Sequence, residues 1–343
     1  MKALIAKHDG YAVEQPETAV LTDMTPFVEL ADIERPQPQS GQVLVKVKMA
    51  AVNPSDEMFI QGLYGQPRKI GRPAGFEGVG EVVEAGSGFM AGRLKGKRVA
   101  FFAAHYGTWS EYALTDALMC FPVPDDVRDE DAAGLLVNPM TAWAMFDLVR
   151  KSGSKAFIMS AAASQLCKFM ANLAKAEGYT AIGIVRRDEQ IDMLRDHGCT
   201  HVLNQKADGF AKDLRALCKE QKPRVFLDAV TGPLAATVFE AMSPKARWVV
   251  YGRLDATPAE LTKPEQMIFM EKRIEGFWLT NWFQKDAGLL KVLRARRDVI
   301  NRFRSGEWRT DITAIVPLAE AIERVPDELA KPNGKVLIRI DGG

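Results

Sequence analysis

The sequence is short of extremes. Of its 343 residues only four are cysteines, Cys120, Cys167, Cys199 and Cys218, and they lie far apart with no Cys-x-x-Cys or Cys-x-x-His pairing. That spacing excludes a zinc ribbon and a disulfide scaffold. Neither sign of charge is in excess: 45 Lys plus Arg against 44 Asp plus Glu leave a formal net charge of +1. A balance so near zero offers no electrostatic footprint for nucleic acid or an anionic membrane surface. No apolar run approaches the ~18 residues of a membrane span, and the opening MKALIAKHDGYA alternates without the apolar core of a signal peptide. The expectation is a soluble cytoplasmic protein with neither a nucleic-acid nor a membrane partner. What is present is 47% hydrophobic residues, ample for a buried core and contrary to disorder. At roughly 100–200 residues per domain, the length suggests two domains.

Up to about residue 125 the chain reads as short strands broken by Gly, Pro and Asn, with VLVKVKMAAV (43–52), GVGEVVEAG (78–86) and KRVAFFA (97–103) as the clearest. After Pro124 and Asp125 a helical period takes over, which places a boundary near residue 126. From there to about 280 strand and helix alternate. AFIMS (156–160) leads into a helix whose Leu166, Phe169, Met170, Leu173 and Ala174 share one face and which ends at Gly178. Then come TAIGIV (180–185), a helix from an Asp188 N-cap to Gly198, HVLN (201–204), VFLDAV (225–230), WVVYG (248–252) and IEGFWL (274–279), with further helices between. A long amphipathic helix then runs through Phe303, and a β return ends in GKVLIRI (334–340). Strands joined by helices imply a doubly wound parallel sheet, so the fold class is α/β, with a second, mostly β domain.

In such a sheet the first strand-to-helix turn usually carries glycines that let the backbone approach a pyrophosphate. Here it reads Ser160-Ala161-Ala162-Ala163-Ser164-Gln165-Leu166-Cys167, with no glycine. Ala161, Ser164 and Cys167 are small enough to preserve access, or are there for close helix–sheet packing. At the end of the second strand, where NAD enzymes carry a carboxylate for the ribose 2′-OH, the sequence has Arg186-Arg187, two guanidiniums suited to a 2′-phosphate. The cofactor expected at such a site is NADPH.

Several segments then fall in order: Asn53-Pro54-Ser55-Asp56, Ile60-Gln61-Gly62-Leu63-Tyr64, Glu77-Gly78-Val79-Gly80, Gly107-Thr108-Trp109, Val137-Asn138-Pro139-Met140-Thr141-Ala142 and Gly276-Phe277-Trp278-Leu279-Thr280-Asn281-Trp282. Together they resemble the medium-chain dehydrogenase/reductase superfamily over essentially the whole chain, nearest its zinc-independent branches, the mitochondrial-type 2-enoyl thioester reductases and the NADPH:quinone oxidoreductases. The resemblance implies a GroES-like catalytic domain over 1–126 and 281–343, a Rossmann nucleotide-binding domain over 127–280, and a homodimer formed through the late Rossmann strands. Where zinc-dependent relatives place a Cys ligand this chain has Asn53, and where they place the His of Gly-His-Glu it has Gly75-Phe76-Glu77. Neither Asn nor Phe replaces thiolate or imidazole on zinc, so no metal site is expected.

The resemblance also implies hydride transfer from NADPH to an enoyl thioester, with a quinone or enone as the alternative substrate and a weakly active nucleotide-binding sensor as a further one. Tyr64 matches the tyrosine that the family links to catalysis, and a phenol, neutral at pH 7, can donate a hydrogen bond to a developing enolate. For the cofactor, the matches are Asn53, Thr141, Ser164, Gln165, Leu166, Arg186, Arg187, Tyr251, Gly252, Phe277, Trp278 and Leu279. Arg68, Lys69 and Arg72 supply positive charge for CoA phosphates, or form a solvated loop.

Overall fold

The computed structural model describes residues 1–13, 21–103, 105–331 and 334–340. The chain divides into two compact units, one of the described residues up to Asn138 together with those from Arg296 onward, the other of Pro139–Ala295. The division therefore falls at 138/139 and 295/296 rather than at 126 and 281. The segment after Pro124 is tied to the first unit: Arg98 Nε and Nη2 donate to Asp129, and Arg98 Nη1 and Nη2 donate to the carbonyls of Pro124 and Val127. Residues 14–20, 104, 332–333 and 341–343 of the expected domain spans lie outside the described residues.

The first unit is built on a seven-stranded sheet. Its path runs Ile312–Pro317, Lys335–Arg339, Gln42–Ala51, Glu77–Ala85, Arg98–Phe102 and Cys120–Pro122, and Tyr112–Asp116 also pairs with Gln42–Ala51. Lys2–Ala6 and Val28–Asp32 form a separate antiparallel pair. The core joins Val43, Val45 and Val47 from the longest strand to Phe76, Phe101 and Trp109. Gly75 is required here, because at φ 89° a Cβ would lie 2.4 Å from Trp109 Cδ1.

The second unit carries a six-stranded parallel sheet in the order His201–Asn204, Thr180–Val185, Ala156–Met159, Val225–Asp228, Arg247–Val250 and Arg273–Gly276. In chain order that is 3-2-1-4-5-6, the doubly wound dinucleotide-binding arrangement. The helix Gln165–Glu177 shows why the periodicity was legible. Leu166, Phe169, Met170, Leu173 and Ala174 are all buried, Ser164 caps the first turn by accepting from Cys167 N, and Gly178 closes it at φ 68°. Burying each of the larger side chains on that face contributes about 1.5–3 kcal/mol.

Two local expectations are corrected. The last strand stops at Gly276 rather than Leu279. Its partner strand ends at Val250, so after one more bond, from Phe277 N to the Val250 carbonyl, the chain has nothing to pair with and winds into helical turns over 279–286. Asp188 is not an N-cap: it opens a 3₁₀ turn, and its carboxylate instead accepts from Asn204 Nδ2 at 2.8 Å.

Candidate active site

In the first unit, Asn53 precedes the helix Pro54–Gln61 and is buried. Its backbone N–H donates to Asp56 Oδ2 at 2.8 Å and its Nδ2 to Glu77 Oε1 at 2.9 Å, while its Oδ1 accepts from Lys335 Nζ. Glu77 Oε2 accepts two backbone amides, Leu136 N at 2.9 Å and Val137 N at 2.8 Å, and Lys335 Nζ lies 3.8 Å from Glu77 Oε1. Asn53 is thus held by the backbone and side chains around it, with its amide orientation set by a carboxylate on one side and an ammonium on the other.

Tyr64, just past the end of that helix, is half-buried, and its ring packs 5.1 Å from the ring of Phe76, which also contacts Phe59 at 5.1 Å and stacks on Phe102 at 5.7 Å. Phe76, the residue in the zinc-ligand position of the resemblance, is therefore a core ring that supports Tyr64. Arg68 does not offer its charge to solvent: it is buried, and its guanidinium donates to the carbonyls of Gly10 and Ile60 at 3.1 and 3.2 Å. Arg72 donates to the His105 carbonyl.

Burial pushes the fully enclosed Asp56 carboxyl up to about 7, with the neighbouring Glu77 adding to the shift and the Asn53 amide and Lys335 opposing it. A group whose folded value lies above its unfolded value binds more protons in the native state, so stability falls as pH rises from about 4 to about 7. Substituting Asp56→Asn should therefore leave stability nearly unchanged at pH 4.5 and raise it at pH 8 by an amount on the order of a few kcal/mol. Denaturant melts of both proteins at the two pH values check this, and an equal difference at both would contradict it.

In the second unit the turn expected to hold a pyrophosphate has Ser164 exposed, Gln165 half-buried and Leu166 and Cys167 buried. Ala161 sits at φ 45°, a left-handed conformation that costs a non-glycine residue about 1–2 kcal/mol. Cys167 Sγ lies 3.6 Å from the Ser160 carbonyl and 3.5 Å from Tyr251 Oη. Burial pushes the Cys167 thiol up and the Tyr251 phenol well above its usual value, so both stay protonated at neutral pH. Gly252 follows Tyr251 against Ala229, where a Cβ would come within 3.1 Å of its backbone. Arg186 and Arg187 are exposed at the end of the second strand and pair with no carboxylate among the described residues. Small side chains, a capped helix start and two uncommitted guanidiniums fit a dinucleotide 2′-phosphate in composition and placement. Thr141 is buried on the helix Asn138–Arg150, and Phe277, Trp278 and Leu279 are half-buried past the last strand.

Sequence reasoning missed the residues that hold these segments. Glu77 was visible only as a motif letter, and Lys335 has no local signal because it lies 282 residues from Asn53. Asp228 carried a usable one: a carboxylate ending the buried run Val225–Asp228, at the strand end where ligands of such sheets bind. Among the described residues no group of His, Cys, Asp and Glu could hold a metal ion, and no helix is long and apolar enough to cross a membrane.

A GroES-like sheet unit together with a Rossmann-type unit carrying a nucleotide turn defines a two-domain, nucleotide-dependent oxidoreductase. The chain belongs to the medium-chain dehydrogenase/reductase superfamily. Residues 39–125 match the alcohol dehydrogenase GroES-like domain family, and residues 167–293 match the family described as zinc-binding dehydrogenase. The mitochondrial enoyl-[acyl-carrier-protein] reductase of Xenopus tropicalis is 30% identical over 80% of this chain and 81% of its own, and that of Bos taurus is 29% identical over 93% and 83%. A solved structure from Mesorhizobium loti, described as a candidate NADPH:quinone reductase, is 52% identical with a TM-score of 0.95 over 99% of this chain and 98% of its own. A mutant form of the enoyl thioester reductase of Candida tropicalis, 20% identical with a TM-score of 0.77 over 99% of each chain, shares the fold.

Proposed function

We propose that the protein is an NADPH-dependent, zinc-independent reductase of carbon–carbon double bonds conjugated to a carbonyl, with enoyl thioesters as substrates. The observation that carries this reading is the Phe76 ring, in the position of a metal-binding imidazole and packed 5.1 Å from Tyr64. It leaves a phenol, not a Lewis acid, to stabilise charge on the substrate oxygen. Bound NADPH supplies a hydride to the β-carbon. Tyr64 hydrogen-bonds the carbonyl oxygen as enolate charge builds, and a proton from solvent adds to the α-carbon to complete the reduction. Arg186 and Arg187 hold the 2′-phosphate. Gln165 and Leu166, at the start of the helix, receive the pyrophosphate on their backbone amides, and Ser164, whose own N–H donates to the Ala161 carbonyl at 2.9 Å, caps that turn beside it. Tyr251 and Gly252 border that region, and Thr141, Phe277, Trp278 and Leu279 surround the nicotinamide. Asn53, with both ends of its amide already engaged, positions the loop before the helix Pro54–Gln61.

A second reading, quinone or enone reduction by the same step, is favoured by the 52% identity to the Mesorhizobium loti protein. Steady-state NADPH oxidation with crotonyl-CoA and with 1,4-benzoquinone, side by side, separates the two. A higher kcat/KM for crotonyl-CoA is expected, and a higher value for the quinone would move the assignment to the second reading.

The same reading includes a homodimer. Among the described residues Arg273–Gly276 is an edge strand paired on one side only, and Ile274 together with Ile268 and Phe269 of the preceding helix is exposed. An unpaired edge beside exposed apolar side chains suits antiparallel pairing with a second copy about a two-fold axis. Sedimentation velocity is expected to give a dimer for the native chain and a monomer for Ile274→Glu combined with Phe269→Glu. A native monomer at micromolar concentration would contradict the dimer.

A further inference from the structure

The nucleotide turn lacks every glycine, yet Ala161 takes the left-handed conformation that glycine normally supplies. Something outside the turn must offset that strain, because an isolated alanine relaxes out of it. The surrounding hydrogen bonds converge on one buried side chain, Asp228, at the end of the neighbouring strand. Its Oδ1 accepts from Ser160 Oγ at 2.5 Å and from Val230 N at 2.9 Å. Its Oδ2 accepts from Trp248 Nε1 at 2.8 Å and from Thr231 N at 3.1 Å. Ser160 Oγ in turn accepts from Ala229 N at 2.9 Å, and the backbone of Asp228 extends the set, its carbonyl accepting from Tyr251 N at 2.9 Å. Ser160 is the residue immediately before Ala161, and both Ser160 and Asp228 are completely enclosed.

We infer that Asp228 is the positioning residue of the nucleotide turn, fixing through Ser160 Oγ the backbone that receives the pyrophosphate. This rests on the dinucleotide-binding reading above. A buried carboxylate that accepts only N–H and O–H donors is acceptor-only, so it holds four donors at once without competing for them. In glycine-bearing turns the conformation is permitted by the absence of a Cβ. Here it is imposed from the side, by a bond to the preceding residue and by Cys167 Sγ resting on the Ser160 carbonyl. Thr231, whose N–H is one of the four donors, is itself at φ 69°, so the same carboxylate secures strained backbone on two adjacent strand ends.

Because the pyrophosphate is common to both dinucleotides, the signature differs from that of a 2′-phosphate residue. Ser160→Ala removes the link while leaving the other donors to Asp228, and Asp228→Asn turns one acceptor into a donor facing Trp248 Nε1 or Ser160 Oγ. Fluorescence titration is expected to show Kd for NADPH and for NADH rising together, by about tenfold in Ser160→Ala and by at least as much in Asp228→Asn. The kcat at saturating NADPH should stay within about twofold of the native value, while KM for NADPH follows Kd. A Ser160→Ala protein that binds both dinucleotides as the native chain does would overturn the inference, whether or not Asp228→Asn folds. So would a loss confined to kcat. Native protein that binds neither NADPH nor NADH would overturn the dinucleotide reading itself, a result distinct from native binding with unaffected variants.

Discussion

Tyr64→Phe is expected to lower kcat for crotonyl-CoA reduction by about 10²-fold, with KM for crotonyl-CoA and for NADPH nearly unchanged. Removing a single donor aimed at a developing oxyanion costs on the order of 10²–10³ in rate in other enzymes, and only the transition state carries the charge that the phenol stabilises. The substitution removes one oxygen and keeps the ring, so the 5.1 Å contact with Phe76 and the half-buried packing persist. Thermal stability should therefore change little, which separates a chemical effect from a structural one. A Tyr64→Phe enzyme with native kcat would remove Tyr64 from the reaction and with it the main argument for conjugate reduction without a metal.

The second large effect concerns the cofactor. Arg186→Ala is expected to raise KM for NADPH by roughly 10- to 100-fold and to leave KM for NADH within about twofold, because a charge-assisted bond to phosphate contributes about 1.5–3 kcal/mol and NADH carries no 2′-phosphate. Arg186 and Arg187 are exposed, so the NADPH preference should also weaken as ionic strength rises. Steady-state kinetics with both cofactors at low and high salt check this, and a parallel loss for NADPH and NADH would place Arg186 outside the 2′-phosphate site. That parallel loss is what Ser160→Ala should give, so the two variants report on different parts of the cofactor.

The parallel sheet was readable because its inner strands Ala156–Met159, Thr180–Val185 and Val225–Asp228 are short, largely buried runs set between helices; Ala156–Met159 and the helix Gln165–Glu177 have nearly the expected bounds. Other features depend on contacts that a linear pattern does not carry. The aromatic run after Gly276 has the composition of a strand, but a strand needs a partner, and Arg247–Val250 has ended. Arg68 reads as a surface cation, yet it is drawn inward by two backbone carbonyls, that of Gly10, 58 residues away, and that of Ile60. Lys335 and Asn53 meet across nearly the whole chain, and Asp228 acts through Ser160, 68 residues earlier. Buried polar networks of this kind are assembled by topology, so only the positions at strand ends hint at them in advance.

The central claim, hydride addition to the β-carbon of a conjugated carbonyl, is tested most directly by isotope transfer. Crotonyl-CoA is incubated with the enzyme and NADPH deuterated at C4, with each labelled face of the nicotinamide in turn, and the acyl product is examined by mass spectrometry and NMR. Butyryl-CoA carrying deuterium at C3 from one of the two labelled faces, with one NADPH consumed per double bond reduced, is the expected result. Consumption of NADPH without label at C3, or no butyryl-CoA from either labelled cofactor, would contradict it.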